Sequence, residues 1–213
     1  MRMEDGALSY DLLQASDVEP MVNLLATAFS VAEPPAVAMG LSRADLAAFV
    51  STLALRAVDE RLTIVARDQS AGKLVGVMLT DDFALPPVVD LRIISSRFLP
   101  IFAMLDALDA QYRHGKTIVR GEFLHLFMLA VDAGYTGQGI AQRLVEVCIE
   151  NGGKRGYRYA VTEATGVISQ RVFHTLGFEE RYRVSYRDFR YEGEAVFASI
   201  VGHAGAALME RIL

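Results

Sequence analysis

The stretch from Leu124 to Val145, LHLFMLAVDAGYTGQGIAQRLV, constrains this chain more than any other. An apolar run of strand length leads into a turn holding Gly134, Gly137 and Gly139, and a helical pattern follows. Glycine lets the backbone take positive φ and come close to a ligand. The unpaired N–H groups of a helix's first turn form an anion site. The segment therefore reads as a phosphate cradle, and the phosphate carrier decides the function.

Three cradles compete. A P-loop needs Lys then Ser or Thr after the last glycine, and here Ile140 and Ala141 follow Gly139. A dinucleotide fingerprint needs G-x-G-x-x-G and an acid about 20 residues on. Glu163 is roughly there, but the glycine order is G-x-x-G-x-G. The third pattern is Arg/Gln-x-x-Gly-x-Gly/Ala, the pyrophosphate loop of the GCN5-related N-acetyltransferases. Thr136-Gly137-Gln138-Gly139-Ile140-Ala141 resembles it, with Thr where Arg or Gln is usual. A second landmark follows: Ser169-Gln170-Arg171-Val172-Phe173-His174-Thr175-Leu176-Gly177-Phe178 resembles that family's helix ending in an aromatic and Leu-Gly-Phe. Ile168, Val172 and Leu176 fall on one helical face, Gly177 reads as the glycine ending the helix, and Phe178 opens a strand.

Composition narrows the class. The chain has 213 residues with 52% hydrophobic and 22% charged, enough for one domain spanning 1–213 with a substantial core. No apolar run reaches membrane-span length and no signal pattern opens the chain, so a cytoplasmic location is the expectation. The single cysteine, Cys148, lies on the helix after the loop and reads as core. The net charge of −5 argues against nucleic acid and favours a cationic substrate such as an amine. No metal constellation appears, because the four histidines are scattered and no cysteine pair exists. The sequence leaves the oligomeric state open, a homodimer included.

Along the chain, Leu8–Gln14 reads as a strand. Ser16-x-x-Glu19 with Pro20 reads as a capping box, opening a helix with stripe Met21, Leu24, Leu25 and Ala28. Pro34-Pro35 break that helix, and Ser42 caps a second one running to Val58. Leu62–Arg67 and Lys73–Thr80 form a hairpin, 81–96 is irregular, and Arg97–Arg113 is helical. After the glycine segment come a strand at Tyr157–Glu163, strands at Phe178–Ser185 and Tyr186–Tyr191, and a short closing helix at Gly202–Leu213. This order fits a mixed α+β sheet with helices on both faces. The family resemblance implies a mostly antiparallel sheet that splays between its fourth and fifth strands into a V-shaped cleft.

The resemblance also assigns roles. Acetyl-CoA would donate the acetyl group, its pyrophosphate held by backbone N–H groups from Thr136 to Ala141. A backbone N–H among Leu129, Ala130 and Val131, at the end of the strand before the loop, would hold the developing oxyanion. Glu33, in Ala32-Glu33-Pro34-Pro35, resembles the Asp-Glu-Pro-Leu base segment of the arylalkylamine (dopamine-type) N-acetyltransferases. Thr165 and Ser169 stand where that subfamily has two hydroxyls implicated in catalysis, and Ser169 also where the cofactor approaches. As residues alone, Glu33 could equally be a solvated turn carboxylate and Thr165 a helix cap. Phe173 replaces the Tyr general acid common in the family, and a phenyl ring donates no proton. His125 stands on a strand where some relatives carry a His pair, and reads as structural. Tyr182, Tyr186 and Tyr191 are further hydroxyl candidates, and the apolar region 83–112 could build a lid.

The expectation is an acetyl-CoA-dependent acetyltransferase acting on a small primary amine by direct ternary-complex transfer, needing no metal. The rivals are a peptide, lysine or aminoglycoside acceptor on the same fold, and a non-catalytic CoA-binding module.

Overall fold

The computed structural model describes residues 3–5, 8–85 and 94–213. Its strands are β1 (Met3–Asp5), β2 (Leu8–Leu12), β3 (Ile64–Asp68), β4 (Lys73–Asp82), β5 (Phe123–Val131), β6 (Tyr159–Ala164), β7 (Glu179–Ser185) and β8 (Gly205–Ile212). They form one eight-stranded sheet in the order β1-β2-β3-β4-β5-β6-β8-β7. The helices are α1 (Val18–Ala32), α2 (Pro34–Ala38), α3 (Arg43–Glu60), α4 (Leu99–Arg113), α5 (Ile140–Lys154) and α6 (Val167–Thr175). No described helix is long and apolar enough to cross a membrane.

The sheet separates two cores. One face packs on α1, α3 and α4 through residues such as Met21, Phe49, Met104 and Leu108. The other packs on α5 and α6 through Leu144, Cys148, Val172 and Phe173. α3 starts where the sequence marks it. Ser42 accepts from Asp45 N at 3.1 Å while Asp45 Oδ2 accepts from Ser42 N at 2.9 Å, a reciprocal cap. α1 does not start from the expected Ser16 box. Asp17 closes that turn instead, with its carboxylate accepting from Gln14 N at 2.9 Å and pairing with Arg67.

Two late elements differ from the sequence reading. The segment expected as a closing helix is strand β8, although its Ala, Leu, Met, Glu and Arg residues are strong helix formers. Ala206 and Leu208 enter one core while Ala207 and Met209 enter the other. A segment buried on both sides between two strands is held by its neighbours, and tertiary packing overrides propensity. Tyr186–Tyr191 is a turn rather than a strand, with only an isolated bridge from Tyr191 to Glu194. Its rings pack locally, Phe189 stacking on Phe197 with centroids 5.5 Å apart.

Every neighbouring pair is antiparallel except β5 and β6, which run parallel. Their pairing lasts only from Phe123↔Tyr159 to His125↔Val161, after which the strands part. The expected splay is therefore present, at the fifth and sixth strands counting β1. Just past the parting, β5 carries a bulge: Leu79 pairs with Met128 and Thr80 with Leu126, leaving Phe127 unpaired. The bulge turns both Phe127 and Met128 toward the α1/α3/α4 core, so the face switches at the mouth of the cleft.

β8 leaves no space at its first residue. A Cβ built on Gly205 would meet Val184 O at 2.1 Å, a backbone atom that cannot swing away. We expect Gly205→Ala to cost about 1–3 kcal/mol of stability, read as a lower denaturant midpoint at unchanged m-value. An unchanged midpoint would contradict this packing of β8 on β7.

Candidate active site in the splayed cleft

The parting of β5 and β6 opens a cavity of about 620 Å³. Its walls come from the end of α1, from α3 and α4, from β5 beyond Leu126, from β6, and from the glycine turn and α6. Thr162 spans the apex, its hydroxyl donating to Leu126 O at 2.8 Å.

The glycine turn forms one end. Gly137 and Gly139 take φ of 76° and 77°, the left-handed region where a side chain is strained. A Cβ at either would meet nothing within 4 Å, so space rather than packing lies against them. Gly139 is the N-cap of α5 and supplies no side-chain cap. The first backbone bond across that cap is Arg143 N to Gly139 O at 3.0 Å, which leaves the preceding N–H groups open to an anion. Thr136, Gly137, Gly139, Ile140 and Ala141 all line the cavity, as do Leu129, Ala130 and Val131 at the end of β5. Gln138 is exposed and lies outside that lining.

Glu33 forms the wall between α1 and α2. Its backbone is extended, and its carboxylate accepts from Ala36 N at 2.5 Å, capping α2 with Pro34 and Pro35 in the first turn. It also hydrogen-bonds the Thr165 side chain. Burial pushes the carboxyl up to about 7, against the lowering pull of those two hydrogen bonds. The turn reading is thus right about the backbone, but the side chain is in the cavity wall rather than in solvent.

Thr165 and Ser169 do not share a helix face, because Thr165 precedes α6 and Gly166 is its N-cap. Both still line the cavity. Ser169 Oγ donates to Gly166 O at 2.9 Å and accepts from Gly166 N at 3.3 Å, tying the turn. Tyr186 donates to Thr165 O at 2.5 Å. Burial and the Glu33 charge hold that phenol far above its usual range, so Tyr186 fixes Thr165 as a neutral donor. Phe173 is buried against Phe178. Cys148 is fully buried and pushed up to about 12 by burial, which suits a core thiol.

Behind the apex lies a charge chain that sequence reading did not find. His125 Nδ1 faces Asp81 Oδ1 at 2.9 Å, and Nε2 faces Glu163 Oε2 at 2.8 Å. Arg56 holds Asp81 at 2.9 Å. Burial alone would lower His125, but Glu163 and Asp81 outweigh it and raise it well above the usual imidazole value. His125 is therefore an imidazolium donating both N–H groups. Burial likewise opposes the charged forms of Glu163 and Asp81, and the His125 charge still holds both below the usual carboxylate range. Asp109, on α4, hydrogen-bonds Glu163. Asp109 Oδ1 and Glu163 Oε1 are buried and meet no donor among the described residues, and one proton held by the pair would satisfy both. Burial and then the Glu163 charge push Asp109 up to about 8. The one readable signal was Glu163 itself, a carboxylate inside an apolar strand that must have a partner.

The far wall is aromatic. Phe49, Phe98, Phe102 and Phe127 pack edge-on or tilted around Phe49, with centroids 5.2, 5.5 and 6.2 Å from it. Part of the expected lid region contributes here, through Phe98, Ile101, Phe102 and Leu105. Residues 86–93 of that region lie outside the described residues.

The Acetyltransferase (GNAT) family model matches residues 44–178, and the chain belongs to that family of acetyltransferases. Solved structures agree in fold. The chain is similar to the C-terminal condensation domain of Ebony in complex with beta-alanyl-dopamine, with TM-score 0.89, 14% identity, and 97% of this chain and 99% of that chain covered. It is similar to arylalkylamine N-acetyltransferase 2 from Aedes aegypti, with TM-score 0.81, 22% identity, and 97% and 99% covered. An agmatine N-acetyltransferase mutant in its apo form follows at TM-score 0.76, 18% identity, and 98% and 100% covered. At these identities the likeness shows the fold.

The shared proton gives a pH signature. A carboxyl held at about 8 when folded, against an ordinary 3.8, contributes stability at low pH that is lost as pH rises through 8. We expect the thermal stability contributed by this proton to fall as pH rises from about 4 to 8 and to level off above that. Asp109→Asn, which keeps a donor toward Glu163, should flatten that fall. Parallel melting curves for the two proteins across this range would contradict the shared proton.

Proposed function

We propose that this chain transfers the acetyl group of acetyl-CoA to a small primary amine with an aromatic or apolar body, by direct attack within a ternary complex. The observation that carries the reading is Glu33: a carboxyl pushed up to about 7 by burial, in the wall of the cavity that the glycine turn also lines. A base works best with a pKa near the operating pH.

Acetyl-CoA supplies an activated acyl carbon and a thiolate leaving group. Thr136 to Ala141 would hold its pyrophosphate by backbone N–H groups at the start of α5. Glu33 takes a proton from the ammonium, directly or through a water. The freed nitrogen then attacks the thioester carbonyl. A backbone N–H among Leu129 to Val131 meets the oxyanion. As the carbonyl re-forms, the C–S bond breaks and the nitrogen's second proton is released. Ser169 and Thr165 are the hydroxyls lining the cavity, and either reaches the departing sulfur by turning from its resting partner, Gly166 O or Glu33, since Phe173 cannot donate. No covalent enzyme intermediate is involved, because Cys148 is buried in the core.

The lining favours one class of amine. Beyond Glu33 the acceptor wall is Phe49, Phe98, Phe102, Phe127 and aliphatic residues. Its other carboxylate, Glu163, is already held by His125. A diamine or guanidine would bring a second cation against apolar side chains, at a desolvation cost with no partner. We expect thiol release with tyramine, tryptamine and phenethylamine to exceed that with agmatine, spermidine, an aminoglycoside or a Lys peptide. A preference for the polycations or the peptide would overturn the arylalkylamine assignment in favour of the other acceptors on this fold.

Glu33→Gln keeps an oxygen for Ala36 N and removes the charge. We expect kcat to fall about 100-fold or more with CoA affinity retained. The wild-type rate should rise with pH through about 7, and this limb should be absent in the variant. Because the folded pKa lies above the ordinary 4.5, ionised Glu33 destabilises the fold as pH rises through that interval. The variant should therefore melt higher than wild type at pH 8. Undiminished turnover would remove Glu33 as base, and no turnover in wild type with CoA still bound would favour the non-catalytic module.

A further inference from the structure

The acetyl-CoA reading leaves a charge problem in the glycine turn. From Asp132 to Gln142 the chain has no Lys or Arg, and Thr136 stands where a cation or amide is usual in the motif. The chain's net charge is −5, and the cavity lining already holds Glu33 and Glu163. Backbone dipoles alone would have to offset a pyrophosphate and a ribose phosphate.

The basic side chains around the turn are already committed. Lys73 pairs with Asp132 at 2.8 Å. Arg143, on the first turn of α5, pairs with Glu146 at 2.9 Å and Glu150 at 3.6 Å. Arg183 pairs with Glu180 and donates to Gln170 at 3.2 Å. His203 lines the cavity, but its Nδ1 accepts from Val167 N at 3.0 Å, so that nitrogen carries no proton. Arg171 differs from all of these. It lines the same cavity as Gly137, Gly139, Ile140, Ala141 and Gln142, it is exposed, and it forms no ion pair or hydrogen bond with any described residue. α6, which carries it, packs against α5. A guanidinium with no partner among the described residues, in an acidic protein and lining the same cavity as the glycine turn, is available to a phosphate.

We propose that Arg171 holds a phosphate group of CoA and supplies the side-chain charge that the turn lacks at Thr136. The inference rests on the acetyl-CoA reading of the cavity. It makes Arg171 a binding and specificity residue for the donor, acting on the donor's phosphates and not on the acyl chemistry.

Calorimetric titration of the full chain with CoA, 3′-dephospho-CoA and pantetheine tests it. We expect Arg171→Ala to raise the Kd for CoA about tenfold, Arg171→Lys to recover part of the loss, and the salt dependence of CoA binding to weaken in the Ala variant. The Ala-to-wild-type Kd ratio should shrink toward one with pantetheine, which has neither the pyrophosphate nor the ribose phosphate. With 3′-dephospho-CoA, a ratio still near ten identifies the pyrophosphate as the partner. A ratio near one there identifies the 3′-phosphate. Equal CoA affinity in wild type and Arg171→Ala would overturn the assignment while leaving the acetyl-CoA reading intact. A ratio that persists with pantetheine would also overturn it, because the effect would then not act through phosphate. Failure of wild type to bind CoA would remove the acetyl-CoA reading, and this inference with it.

Discussion

The brevity of the β5–β6 pairing governs the rest of the molecule. Three residue pairs hold these parallel strands, and beyond His125↔Val161 they separate. A sheet that parts in its middle exposes backbone that a neighbouring strand would otherwise satisfy. Here the opening is bordered by a carbonyl that borrows a hydroxyl from Thr162, by a bulge that turns Phe127 inward, and by the glycine turn at the end of β5. The cleft is thus built into the ladder pattern, and the two cores on either side of the sheet keep its walls apart.

Two buried carboxylates line this opening and have opposite fates. Glu33 has only a hydroxyl and a backbone N–H for company, so burial dominates and its proton is held up to about 7. Glu163 faces an imidazolium, which keeps it ionised despite its burial. One is suited to exchanging a proton, the other to fixing structure. The chain Arg56, Asp81, His125, Glu163 and protonated Asp109 is neutral overall, which makes so much buried charge tolerable. It ties α3, β4, β5, β6 and α4 together just behind the apex, where a loss of register would close or skew the cavity.

Much of this was legible in the sequence because it rests on local chemistry. The strand, glycine turn and helix at Leu124–Val145 are set by glycines that need positive φ and by helical periodicity. Ser42 announces α3, and Gly177 ends α6 with φ of 79°. Glu33 was singled out by the resemblance of its segment to the Asp-Glu-Pro-Leu base segment, and its two prolines fix the backbone there. What stayed hidden depends on distant neighbours. β8 looks helical until its place between β6 and β7 is known. Ser16 matched a capping pattern, but Asp17 reaches Gln14 and Arg67 and wins the turn. His125 looked like an isolated strand histidine because Asp81, Glu163 and Asp109 lie 44, 38 and 16 residues away in the chain. Tyr186 was read as a strand residue, and its hydroxyl is instead a support beneath Thr165.

The proposed chemistry depends on the proton affinity of one carboxyl, so the most direct measurement is the titration of Glu33 itself. The ¹³C resonance of its carboxyl can be assigned by comparison with Glu33→Gln and followed with pH in the free protein. A base of this kind should give a midpoint at about 7. A midpoint near the ordinary 4.5 would mean a solvated, ionised side chain, and would contradict Glu33 as the buried base of this cleft.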